Sequence, residues 1–161
     1  MKNFSKQKKG FTLIELIIVV AIIALLAGAT FVAINPAKRI GEANNAQRWT
    51  DVTAIASAWA LYVADNSGTA PASATAGTTY QIAGGAGGDE ACSDVSHATT
   101  TTAHLDLSTL VSDGYLGSMP ADPEGDFTDD NTGYYLYTDT NGVIRVGACV
   151  TYDSAVIEVI R

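Results

Sequence analysis

From Phe11 to Ile34 nearly every position is apolar, and Glu15 is the one ionisable side chain in the run. As a helix this stretch would rise about 36 Å, enough to cross a hydrocarbon core of about 30 Å. A charge inside such a segment costs about 2.5–3.5 kcal/mol or more, so Glu15 calls for a functional reason. From Ala37 the pattern changes. Polar residues (Lys38, Arg39, Glu42, Asn44, Asn45, Gln47, Arg48) alternate with an apolar stripe at Trp49, Val52, Ala56, Trp59 and Val63. Steps of three and four place that stripe on one helical face. It ends at Asp65-Asn66-Ser67-Gly68, residues suited to a helix C-terminus. The spacing predicts one nearly continuous helix from Phe11 to Asp65, about 80 Å long. Gly28 and Pro36 are its expected weak points, since glycine lowers helix stability and proline removes a hydrogen bond.

Beyond Asn66 the period shortens. Thr79–Ile82 is a strand-like fragment, and Asp106–Val111 suits a short helical turn. Tyr134–Asp139, Val143–Val150 and Ala155–Ile160 read as three strands, with Asn141-Gly142 a hairpin signal between the first two. The expected product is an α+β fold: a long N-terminal helix whose second half packs its stripe against a C-terminal antiparallel sheet. The chain divides into residues 1–10, a leader; 11–35, a membrane-length half helix; 36–66, an amphipathic half helix; and 67–161, an acidic globular head.

Charge sharpens this division. The net charge is −8 over 161 residues, and four of the nine basic residues (Lys2, Lys6, Lys8, Lys9) precede Gly10. Without the leader, five basic residues face seventeen acidic ones. Beyond Asn66 only Arg145 and Arg161 are basic, against thirteen Asp and Glu. Such a surface repels a phosphate backbone, so nucleic-acid binding along the head is not expected. Cys92 and Cys149 both follow the apolar run. In an exported domain they read as one disulfide, with two buried thiols as the alternative. No nucleophile–base pair is identifiable, and the glycines of Gly84-Gly85-Ala86-Gly87-Gly88 lack the strand-then-helix context of a phosphate loop. His97 and His104 have no further clustered ligand to make a zinc site.

The order of leader and apolar run is unusual. A secretory signal places its cleavage site after the apolar stretch. Here Gly10 comes before it, so a cut there removes the lysines and keeps the hydrophobic segment. An uncleaved signal anchor is the alternative, and both readings leave the N-terminus in the cytoplasm. The string Lys8-Gly10-Phe11-Thr12-Leu13-Ile14-Glu15-Leu16, with Lys9 between the first two, resembles the prepilin signature of type IV pilins and of the pseudopilins of type II secretion. The resemblance implies a pilin fold, cleavage between Gly10 and Phe11 by a prepilin peptidase that also methylates Phe11, and an assembly contact from Glu15 to the N-terminal amine of a neighbouring subunit. It implies a filament subunit rather than an enzyme. The partners it implies are further copies of the chain, an assembly ATPase, an inner-membrane platform protein, minor pilins and, where an outer membrane exists, a secretin. The expected location is the inner membrane before assembly and the cell surface after it. A pseudopilin is the alternative to a type IV pilin, and a membrane-tethered enzyme or binding domain with an uncleaved anchor is a third reading.

One segment invites a metal test. Asp122, Glu124, Asp126, Asp129 and Asp130 carry the hard oxygen ligands that calcium takes. The spacing is not that of an EF-hand, because Phe127 stands where the turn glycine belongs. A related loop binds calcium in some pseudopilins. A solvated acidic turn is the preferred reading and a calcium site the alternative; no other cofactor is expected.

Overall fold

The computed structural model describes residues 10–85 and 103–161. They fall into two compact units, one ending at Arg39 and the other spanning Ile40–Arg161.

In the first unit, helix α1 spans Leu13–Ile34 and none of its residues is buried. Among the described residues it is the one helix long and apolar enough to cross a membrane. The predicted single helix is divided. Asn35 adopts the left-handed conformation at φ 46°, and helix α2 spans Pro36–Asp65. Proline cannot donate to α1, but its fixed φ suits a first helical position. Asn35 also serves the new helix: its carbonyl accepts from the Arg39 N–H at 3.3 Å, and its side-chain oxygen from the Lys38 N–H at 3.4 Å. Gly28 interrupts nothing; α1 runs through it. The break therefore comes from Asn35 and Pro36 together.

The second unit is a head in which α2 packs on a five-stranded sheet. Strands β1 (Thr79–Ala83), β2 (His104–Asp106), β3 (Tyr134–Thr138), β4 (Ile144–Ala148) and β5 (Glu158–Ile160) lie in the order β2-β1-β3-β4-β5. A short helix, α3 (Ser108–Ser112), follows β2. All neighbours are antiparallel except β1 and β2, which are parallel. The β3–β4 hairpin turns where expected. The Asp139 carboxylate accepts from the N–H groups of Asn141 and Val143, and Gly142 supplies a positive φ of 84°. The Val143 N–H is the main cause that holds the Asp139 carboxyl below its ordinary range.

The core lies between helix and sheet. Val52, Ile55, Ala56, Ala58 and Trp59 of α2 meet Ile82, Tyr134, Leu136, Ile144, Val146 and Ala148 of the sheet. Strand alternation explains the second set, because every other residue faces the helix. Two expectations need correction. Trp49 is 45 % exposed, so the buried stripe does not run through it. The position one residue earlier, Arg48, is fully buried instead. Strand β2 and its parallel pairing were also not foreseen.

The far end of the head is tied to α2 by Tyr152. Its ring lies over Gly41, where a Cβ would overlap ring carbons. Asn45 brackets the same residue, donating to the Tyr152 carbonyl and accepting from its N–H, each at 2.9 Å.

Candidate functional site: the α1 N-terminus and the acidic loop

The predicted processing site lies just ahead of α1. Gly10, Phe11 and Thr12 are non-helical and exposed, and Phe11 is 94 % exposed. A Cβ built on Gly10 meets nothing within 4 Å, so this fold does not itself require glycine there. The lysine-bearing leader before Gly10 lies outside the described residues.

Glu15 sits in the first turn of α1 and closes a capping box. The Thr12 N–H and hydroxyl both donate to Glu15 Oε2, at 2.9 and 2.8 Å, and the Glu15 N–H donates to Thr12 Oγ1 at 3.3 Å. This pairing satisfies two helix-end donors and puts the carboxylate at the positive end of the helix dipole. The structure thus brings Phe11, Thr12 and Glu15 into one short terminus, with the carboxylate one turn from the residue that cleavage would expose.

An apolar single helix, a glycine just before it and a first-turn carboxylate form an arrangement suited to membrane anchoring. Residues 5–31 match the family model for the prokaryotic N-terminal methylation motif, the class III signal peptide of type IV pilins. The motif indicates a type IV pilin or pseudopilin-like prepilin. No curated protein and no solved structure shows significant similarity to the chain.

The acidic segment is organised around a buried ion pair. The Asp122 side chain is buried, and Arg48 grips it in a two-pronged ion pair: Nε to Oδ2 and Nη2 to Oδ1, both at 2.7 Å. Arg48 Nη2 also reaches Glu124 Oε2 at 3.0 Å, and its Nη1 donates to Asn45 Oδ1 at 3.0 Å. The loop closes on itself where the Asp122 N–H donates to the Thr132 carbonyl at 2.9 Å. Gly133, at φ 75°, is needed there, since a Cβ would stand 2.9 Å from Asp122 Cβ and 3.0 Å from the Phe127 ring. Asp126, Asp129 and Asp130 are exposed. The five acids do not converge: among the described residues, no three of His, Cys, Asp and Glu are grouped to hold a metal ion. The sequence reading missed Arg48. The signal was its register, four residues before Val52 and seven before Ile55, on the core-facing side of the helix.

Next to this cluster Asp51 accepts from the Tyr134 hydroxyl at 2.7 Å and from Gln47 at 2.8 Å. On the opposite sheet face the Tyr135 hydroxyl donates to Glu158 at 2.8 Å, and Arg145 pairs with the same carboxylate at 3.1 Å. Burial first, and the acceptor carboxylate second, pushes both phenols well above the ordinary tyrosine range. A phenol whose folded pKa is raised contributes stability that is fully present below the unfolded value of about 10 and is lost as pH rises above it. In an alkaline titration followed by difference absorbance, Tyr134 and Tyr135 should therefore stay protonated while exposed tyrosines ionise, and should titrate only with unfolding. A single step for all tyrosines near the ordinary value, with the fold retained, would contradict this.

Cys149 is buried just past the end of β4, against Tyr135. Its predicted partner Cys92 lies outside the described residues, as does His97.

Proposed function

We propose that the chain is the structural subunit of a type IV pilus. Prepilin peptidase cuts between Gly10 and Phe11 and methylates Phe11, and the subunits polymerise through α1 into an extracellular filament used for adhesion, motility or DNA uptake. The observation that carries this reading is the methylation motif over residues 5–31, set on an apolar helix with no buried residue. A helix of that kind needs lipid or other copies of itself to cover it. The open space around Gly10 supports an outside origin for the glycine, in the peptidase rather than in the fold. Space is equally open at Gly28, as close approach of helices from neighbouring copies would use. Glu15 pairs with the N-terminal amine of a neighbour, which offsets the cost of an unpaired charge in an apolar filament core. The assembly ATPase, the platform protein, minor pilins and, with an outer membrane, a secretin complete the machinery. Cys92 and Cys149 form a disulfide that staples the head. Before assembly the subunit is a single-pass protein of the inner membrane.

The test is electron microscopy of sheared cell-surface material with mass spectrometry of the subunit. Long filaments built from a chain that begins at N-methylated Phe11 are expected. A mature chain that keeps its leader overturns the proposal. Loss of protein secretion without long filaments in a deletion strain assigns the chain to the pseudopilins instead.

A further inference from the structure

We infer that Arg48 is the resident cation of the acidic loop of residues 122–133, so that the loop folds without a divalent metal ion. Calcium takes six to eight oxygen ligands that converge on one point. Here the best-placed carboxylate is already engaged through both oxygens. Asp122 Oδ2 accepts from Arg48 Nε, and Oδ1 accepts from Arg48 Nη2 and from the Glu124 N–H at 2.9 Å. Both side chains of this pair are fully buried, so a metal ion would have to expel a guanidinium that has no other place in the core. Glu124 is 56 % exposed in its side chain and gives an oxygen to the same guanidinium. A planar fork on a planar carboxylate is the strong form of this contact, and its burial protects it from salt.

The fixed end of the clamp is α2. Arg48 emerges from the turn just before Val52 and Ile55, which are themselves wholly buried against the sheet. Asn45, on the same face, holds the guanidinium from the other side while bracketing Tyr152. The loop is thereby keyed to the helix by the chain's own charge. The head keeps its shape when the surrounding medium is poor in calcium or contains a chelator, a condition that an exported domain cannot control.

The test is thermal unfolding of the unassembled full chain in detergent, followed by near-ultraviolet circular dichroism, with excess chelator or with millimolar calcium chloride. It does not depend on whether the chain builds a pilus. The wild-type Tm should be the same in both media, and calorimetric titration with calcium chloride should show no binding heat. Arg48→Met strands Asp122 as a buried charge and should lower Tm by roughly 10 °C. Arg48→Lys keeps the charge but loses the fork, and should fall between the two; it serves as the variant should Arg48→Met not fold. A rise in wild-type Tm with calcium overturns the inference. So does an Arg48→Lys or Arg48→Met protein as stable as wild type.

Discussion

Glu15→Ala protein should reach the membrane at the wild-type level, while the yield of sheared filaments falls to background. The two readouts separate because the carboxylate has little to do with insertion. Replacing it makes the segment more apolar and removes a group that costs about 2.5–3.5 kcal/mol at membrane depth. The local cost is small: the capping box loses its Glu15 partner, an effect of about 1 kcal/mol on a helix that is 22 residues long. In the proposed filament the loss is much larger, since each subunit then carries an amine with no carboxylate opposite it in an apolar core. Glu15→Gln keeps the hydrogen bonds from Thr12 but not the charge, so it should insert and fail to assemble in the same way. Wild-type filament yield from either variant would remove Glu15 from assembly and leave it a capping residue alone.

Ile55→Ala should destabilise the head by about 2–5 kcal/mol, whereas Trp49→Ala should change it by less than about 0.5 kcal/mol. Ile55 is wholly buried between α2 and the sheet, so truncation leaves a cavity that close-packed neighbours fill only in part. Trp49 is the larger side chain but stands 45 % exposed. Denaturant unfolding of the full chain in detergent, at constant m-value, measures both. Equal losses would mean that the helix packs on the sheet in a register different from the one described.

That contrast marks the limit of reading this chain from its sequence. The α1 segment was legible because its signal is local and long: apolar positions in unbroken succession, one acid and a glycine in front. The β3–β4 hairpin was legible because Asn141-Gly142 can satisfy a turn that few other pairs can. The stripe of α2 was read correctly at Val52, Ala56 and Trp59 and wrongly at its first position. The apolar pattern favoured Trp49, while the buried face includes a cation, Arg48, made tolerable by Asp122 seventy-four residues away. A long-range charge pair leaves no periodic trace. Strand β2 escaped for a related reason: three residues are too short to carry a period, and its pairing with β1 defines it.

The order of the strands also governs how the head comes into being. Strand β3 at the centre of the sheet, and β4 and β5 beyond it, come from the last part of the chain, while α2 comes from the first. A chain that emerges N-terminus first carries the apolar side of α2 without a wall to lie against until β3 has arrived. The wall is complete only with β5, because Ile157 just ahead of it enters the core and Arg161 exchanges both backbone bonds with Ile144. The contacts of α2 with β3 and β4 are far apart in sequence, and such contacts close slowly. Folding of the head is therefore a late event. A subunit clipped before Ile157 would present α2 and the sheet with an open seam, a ready target for proteases.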